Sequence, residues 1–412
     1  MRRCTLKFVI TVFCFLVFSV RVHAVDLGVD VFFSEGGYLE LQGKKIGLIT
    51  NQTGVTKNLE STLDLFLQKE RGVQLVALFA PEHGIFGEVA AEKEVKTQKI
   101  GNIPVYSLYG KTRRPTEEML RGIDVLVYDI QEIGSRSYTY ASTLFYVMEE
   151  AAKHKIPVIV LDRPNPLGGK LVDGPMLDPK MRSFIGYIDV PYCHGMTIGE
   201  LARYFNAEYK IHCLLRVIPM KGWKRDQVFA STGLPWIPTS PYVPDAETSF
   251  FYATTGLIGG LSIVSIGIGY TLPFKVVGAP WISSKEFAKM LNQQNLPGVK
   301  FVPMYFTPQY GLYKGDVCQG AFIVITDPST YKPVRTQCFI LGIIKSMYPS
   351  MFKKKIAELS KLKKELFCKA FGGEEIFSIL VNEKYPAWKM AEYEFSKRQE
   401  YIEKRKKYLL YN

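Results

Sequence analysis

Glu82 and His83 stand in "APEHGIFGE" (80–88), directly after the apolar run "VQLVALF" (73–79), which reads as a buried strand. A carboxyl group leaving a strand between glycine-rich turns can be buried enough to raise its pKa and act as a general acid or base. The adjacent imidazole can orient it or hold a substrate hydroxyl. Four other apolar runs end in the same manner, in Thr50-Asn51-Gln52, Tyr109-Gly110-Lys111, Asp129-Ile130-Gln131-Glu132 and Asp162-Arg163-Pro164-Asn165. These clusters supply carboxylates, amides, a guanidinium and a phenol, the groups needed for proton transfer and for holding a polar ligand.

Each cluster also has a plainer explanation. Strand alternation points Asp129 and Gln131 one way and Ile130 and Glu132 the other. Asp129 then either faces a ligand or is a buried acceptor of backbone hydrogen bonds. Arg136, Tyr138 and Tyr140 begin the next helical segment, where an arginine can fork onto a carboxylate and tyrosines can flank a sugar ring. Tyr140 also fits the core. Asp162, Arg163 and Asn165 lie in a turn stiffened by Pro164 and Pro166, which suits a structural turn and a ligand contact equally. In "YCHGMTIGELARYF" Thr197 and Glu200 form a helix-capping pair, so His194 stands at a helix entrance that favours anionic groups, or simply packs the turn.

The elements that must position these residues alternate over about residues 44–205. The strands are "KKIGLITN", "VQLVALFAP", "IPVYSLYG", "DVLVYDIQ" and "IPVIVLDRPN"; the helices are "NLESTLDLFLQKE", "TEEMLRG" and "YTYASTLFYVMEEAAKHK". Continuous apolar strands alternating with helices predict an α/β fold with a mostly parallel, doubly covered sheet, whose strand ends converge on one rim. From 206 onward Pro and Gly punctuate short β-rich runs, including "LPWIPTSPYVP", "GLSIVSIGIGY" and "GAFIVITDP", and predict a second, smaller α+β domain. The expected organisation is a signal peptide over 1–24, an α/β domain over 25–205 and an α+β domain over 206–412.

Several function classes are not indicated. There is no GxGxxG after the first strand, no GxxxxGK[ST], no GxSxG and no HExxH, and five histidines are few for a metal site. The expectation is no metal and no cofactor. "MRRCTLKFVITVFCFLVFSVRVHA" has the basic, apolar, small-residue order of a secretory signal cleaved after Ala24. Its apolar run, Phe8 to Val20, is short for a membrane anchor, which needs roughly 20 residues. The predicted location is therefore outside the cytoplasm, periplasmic or extracellular. The formal charge of +13 falls to +9 without the four basic residues of 1–24. Residues Met351–Asn412 carry 15 Lys/Arg against 9 Asp/Glu, a solvated helical face or one drawn to an anionic cell-wall or membrane surface. Nucleic acid is not indicated as a partner. Cys193, Cys213, Cys318, Cys338 and Cys368 form no disulfide framework, although Cys318 and Cys338 could pair across neighbouring strands.

The blocks "GLITNQTGV", "APEHGIFGE", "VYSLYGKTRRPT", "DVLVYDIQEIGSRSYTY", "VIVLDRPNPLGGKLVDGPMLDP", "CHGMTIGELA" and "MKGWKRD" follow one another over about 180 residues. In them the chain closely resembles the exo-β-N-acetylmuramidase family (NamZ-like, glycoside hydrolase family 171). The resemblance implies a Rossmann-like domain joined to a smaller C-terminal domain with the site in the cleft between them. It also implies release of N-acetylmuramic acid (MurNAc) from the non-reducing end of peptidoglycan fragments, without metal or organic cofactor. On that likeness Glu82 is the catalytic acid or base, with Asp129 or a water as second participant. His83, Arg136, Tyr138 and His194 fall in blocks that match the family's site-lining segments, with Arg136 and His194 expected to meet the lactyl carboxylate, and the strand-end residues Asn51, Gln131, Asp162, Arg163 and Asn165 are the further expected substrate contacts. The stretch "GGLSIVSIGIGYTLPF" departs from the family pattern, with Gly259 and Ile268 where a glutamate and an arginine are expected, and Tyr242 stands for an asparagine. Those changes imply, as the alternative, a weakened or altered-specificity muropeptide-binding protein.

Overall fold

All five apolar runs of the first half become strands in the computed structural model, which describes residues 24–412. The signal segment apart from Ala24 lies outside the described residues. The strands are β1 (Lys45–Thr50), β2 (Gln74–Ala80), β4 (Ile103–Ser107), β5 (Val125–Asp129) and β6 (Val158–Leu161), joined by β3 (Gln98–Ile100) and β7 (Leu215–Ile218). They form one sheet in the order β3-β4-β2-β1-β5-β6-β7, parallel throughout except for the antiparallel β3–β4 edge. Leu48, Leu126, Val127, Val158 and Val160 are fully buried. That is why the strands read as unbroken apolar runs: both faces are covered.

The covering helices are α1 (Gly28–Ser34), α2 (Thr62–Leu67), α3 (Glu117–Leu120), α4 (Thr139–Lys153) and α5 (Ile198–Glu208). The expected capping box opens α5: Thr197 accepts from the Glu200 amide, and the Glu200 carboxylate accepts from the Thr197 amide. The strand order reverses between β1 and β5, with Thr50 opposite Asp129. Ligands of doubly wound sheets bind beyond the strand ends near such a reversal.

The second half carries a smaller antiparallel sheet, β8 (Val276–Ala279), β9 (Val299–Phe306) and β10 (Cys318–Ile325), in the order β8-β10-β9. Around it lie α6 (Thr248–Gly260), α7 (Ser284–Asn292), α8 (Pro333–Met347), α9 (Pro349–Ala357), α10 (Lys361–Phe371), α11 (Glu374–Asn382), α12 (Pro386–Glu392) and α13 (Phe395–Arg405). Two expected β runs, "LPWIPTSPYVP" and "GLSIVSIGIGY", are irregular. The β-prone, threonine-rich "TSFFYATTGLIGG" is instead the helix α6. There Thr254 and Thr255 return their hydroxyls to the carbonyls of Phe250 and Phe251, four residues back, and burial overrides propensity.

The two halves are not separable at residue 205. β7 pairs with β6 beyond that point, so the first sheet runs to Ile218. Residues 411 and 412 also return to the first half: the Arg225 amide donates to Asn412 O, and the Tyr411 hydroxyl accepts from the Met220 amide and donates to the Asp162 carboxylate. One apolar cluster runs from Ile49 in β1 to Tyr408. The five cysteines among the described residues are buried and free, so Cys318 in β10 and Cys338 in α8 do not pair.

Candidate active site

Glu82 leaves β2 one residue after Pro81 and is 7% exposed. The turn that aims it is tight. His83 has φ +72° and Gly84 φ +84°, two successive left-handed residues, and the first is a non-glycine that surrounding contacts must hold. Those contacts are the Val89 amide donating to His83 O at 3.1 Å and His83 Nδ1 2.8 Å from Val89 O. The imidazole is therefore engaged by its own loop, and its ring packs edge-on to Tyr140 with centroids 6.5 Å apart.

The carboxylate is gripped from two directions. The Thr139 hydroxyl donates to Oε2 at 2.6 Å, and the Glu92 amide donates to Oε1 at 3.3 Å. Tyr109 stands close enough to feel the carboxylate: burial first, then the Glu82 charge, pushes its phenol well above its ordinary range. Thr139 is the first residue of α4, so Glu82 faces a helix N-terminus, where the aligned peptide dipoles favour negative charge. Tyr138, Tyr140 and Tyr252 form an adjoining aromatic group, with ring centroids 4.8 Å apart for Tyr138–Tyr140 and 5.8 Å for Tyr138–Tyr252. Tyr252 belongs to α6, and its hydroxyl lies 3.2 Å from Ser137 Oγ. Burial raises the Tyr252 phenol to about 12, and the Glu82 charge adds to the shift. The glutamate is thus at the seam between the halves. Tyr138 donates to Thr239 Oγ1 at 2.9 Å, Tyr140 to Thr239 O at 2.5 Å, and Gln52 to Pro238 O at 2.8 Å, which fixes the segment beside it.

Several expected site residues serve the scaffold. Asp129 is fully buried: Arg163 holds both of its oxygens, at 2.6 and 2.8 Å, and the Thr62 hydroxyl donates at 2.5 Å. Ion-paired to Arg163 and shut off from solvent, it anchors the scaffold instead of taking the expected catalytic role. Arg163, the partner, also donates to Val55 O. Asp162 accepts from Thr197 Oγ1, the Gly199 and Arg163 amides and the Tyr411 hydroxyl, and so anchors the α5 entrance. Asn165 is fully buried, donating to Met196 O and accepting from the Leu167 amide.

Arg136 and His194 do not meet an anion at the rim. The Arg136 guanidinium donates to four carbonyls, Pro175 and Val190 of the first half and Ala370 and Phe371 of α10. It is a staple between the halves. His194 is buried, accepts from the Met196 amide, and burial pushes it down to about 3, so it is neutral. Its Nε2 lies 3.8 Å from Glu132, whose carboxyl burial pushes up to about 8. The Gly134 amide donates to Glu132 Oε2, while Oε1 has no partner. Two neutral groups, not an ion pair, stand there at neutral pH.

Asn51 and Gln131 end the strands on either side of the order reversal. Asn51 accepts from the Thr53 amide and hydroxyl, and its side-chain NH₂ is buried without a partner. Gln131 donates to Glu132 O and Pro164 O. With Arg163, Leu234, Pro235 and Trp236 it lines a cavity of about 20 Å³, room for roughly one water. Residues 234–237 thus close over the usual ligand crevice of this topology, and Glu82 stands beyond the neighbouring strand, β2.

Thr139, Glu92 and Tyr252 escaped the reading of the sequence. Thr139 was signalled only as a hydroxyl opening a helical segment; nothing local marked Tyr252, because α6 reads as β-prone. Gly259 and Ile268 have the expected apolar consequence: a Cβ on Gly259 would come within 2.5 Å of Ile266 Cδ1, and Ile268 packs against the main core. Among the described residues, no group of three or more His, Cys, Asp or Glu is placed to hold a metal ion.

Residues 46–247 match the model of the N-terminal part of exo-β-N-acetylmuramidase NamZ, and residues 250–411 match that of its C-terminal part. The chain is 45% identical over 332 residues, 80% of its length and 79% of the relative's, to the peptidoglycan β-N-acetylmuramidase NamZ of Bacillus subtilis. Two crystal structures of DUF1343 family proteins from Bacteroides fragilis are similar. One has 39% identity and a TM-score of 0.88, the other 27% and 0.70; each comparison covers 94% of this chain and 99% of that one. In both sequence and architecture, the chain belongs to the exo-β-N-acetylmuramidase NamZ family.

Proposed function

We propose that this protein is a glycosidase of peptidoglycan that releases MurNAc from the non-reducing end of cell-wall fragments, with Glu82 as the group that transfers the proton. The observation that carries the reading is the grip on Glu82: a hydroxyl and an amide fix a carboxylate at a helix N-terminus, beside an aromatic wall, at the seam of the two halves. A carboxylate so fixed can take a proton from an attacking water, and in its acid form can protonate a glycosidic oxygen. Aromatic faces such as Tyr252 suit the apolar face of a sugar ring. With Asp129 held by Arg163, the second participant is a water. Muropeptides are the proposed partners, with no cofactor and no nucleic acid.

Export fits the same substrate. Val25, the first residue after the proposed cleavage point at Ala24, is buried and its amide donates to Thr232 O, so the proposed mature chain keeps this contact. The basic face of residues 351–412 would then meet an anionic wall or membrane surface.

A second reading, muropeptide binding with weakened or altered turnover, is favoured by Gly259, where an added side chain would run into Ile266 Cδ1, and by the apolar Ile268 packed against the core. Incubation with MurNAc-GlcNAc or a chromogenic MurNAc glycoside, from about pH 5 to 8, separates the two. Release of MurNAc that Glu82→Gln abolishes supports the first. Binding without release supports the second, as does recovery of release on joint Gly259→Glu and Ile268→Arg substitution.

A further inference from the structure

A groove in the second half, remote in sequence from Glu82, has a composition the glycosidase reading does not use. It lies between the end of α8, α9 and the end of α11, has a volume of about 540 Å³, and is lined by Lys345, Phe352, Lys353, Ile356, Lys384 and Tyr385 among others. Its lining contains three lysines and no acidic residue. Phe352 forms a buried floor, whereas Tyr385 is 68% exposed and Trp388, one turn further along α12, is 58% exposed. Trp388 packs against Phe339 and Arg335 outside the groove, so Tyr385 is the large aromatic left at its rim, and such a residue beside a cavity marks a contact surface.

The three lysines differ in what holds them. Lys345 donates to Leu380 O, Val381 O and Glu383 O, so its ammonium closes the carboxyl end of α11 and is a structural part of the wall. Lys353 and Lys384 are exposed, and neither has a carboxylate partner among the described residues, although the neighbouring Lys355 and Lys389 are paired with Glu358 and Glu383. Two unpaired cations therefore flank an apolar floor. A polyanion without apolar groups would leave Phe352, Ile356 and Tyr385 unsatisfied. A purely apolar ligand would leave the cations without partners.

We propose that this groove docks an acidic peptide, with an apolar side chain seated on Phe352, Ile356 and Tyr385 and carboxylates meeting Lys353 and Lys384. The assignment is independent of the reaction at Glu82. A fluorescent peptide of alternating glutamate and leucine is titrated into the full chain, beside its lysine-leucine counterpart and vesicles of anionic phospholipid. The acidic peptide should bind, and the basic one should not. Joint Lys353→Glu and Lys384→Glu substitution should weaken binding about tenfold or more, and 0.5 M salt should weaken it too. Tyr385→Ser should weaken it without altering the salt dependence. Both variants change exposed side chains, and an unchanged melting temperature shows that they fold. No binding at millimolar peptide, or binding indifferent to the lysine substitutions, overturns the proposal. Vesicle binding that the acidic peptide does not displace assigns the groove to a membrane surface instead.

Discussion

The Thr139 hydroxyl donates to Glu82 Oε2 at 2.6 Å, tying the first residue of α4 to the turn that follows β2. One hydrogen bond thus joins a helix start to a strand end 57 positions earlier, and sets where the carboxylate points. Replacing Thr139 by valine keeps the shape and removes the donor. The expected result is a fall in kcat of about 10- to 100-fold with KM little changed, since a hydrogen bond to a charged group contributes about 1.5–3 kcal/mol. Thr139→Ser should restore most of the loss. A valine variant as active as the parent would show that Glu82 is held by its other contacts alone.

Glu82→Gln removes the titrating group and leaves the side chain's volume. MurNAc release should drop by about 10²–10⁴-fold, with an unchanged melting temperature and circular dichroism spectrum. Retained turnover in a folded Gln variant would move the chemistry elsewhere.

Asp129 predicts the opposite pattern. Asp129→Ala strands the Arg163 guanidinium in a buried site, at a cost of about 3–5 kcal/mol, and the melting temperature should fall accordingly. Activity per folded molecule should suffer far less than in the Glu82 variant. Denaturant unfolding combined with active-site-normalised rates separates the two effects.

Arg136→Met takes a donor from four carbonyls, two from each half, of which Pro175 O keeps the Tyr192 amide. Stability should fall by about 3 kcal/mol or more, while the KM of any folded enzyme for a MurNAc substrate stays the same. A raised KM at unchanged stability would restore the arginine to substrate recognition.

Glu132 sets a pH dependence of known sign. Its folded-state pKa, about 8, lies above the ordinary value of 4.5, so the folded protein holds the proton that the unfolded chain releases. The contribution is complete below about pH 4.5 and is lost as pH rises towards 8. Glu132→Gln keeps a neutral side chain at every pH. Melting temperatures measured from about pH 5 to 9 should fall less steeply for this variant than for the parent, with the gap widest at the alkaline end. Parallel curves would mean that Glu132 is ionised in the folded protein.

The sheet was legible because its strands are covered on both faces, and such strands announce themselves as unbroken apolar runs ended by polar clusters. The position of Glu82 was legible for the same reason. The partners of those polar residues were not. Asp129 and Arg163 are 34 positions apart and meet only because β5 and β6 are neighbours. Arg136 finds Ala370 and Phe371 more than 230 positions away, a pairing no local pattern encodes. Helix α6 was hidden because threonine and glycine argue against a helix until the surrounding core is known. The domain boundary failed for a related reason: β7 is short and half-buried, and its membership of the first sheet depends on β6 lying alongside.

The return of residues 411 and 412 to the first half bears on how the protein can be made. Tyr411 completes the ring of donors around Asp162, and the carbonyl of Asn412 takes the Arg225 amide. Residues 249 positions apart therefore finish one layer together. A piece that stops before Tyr411 leaves Asp162 one donor short, so the first half should lose stability when it is produced without the second.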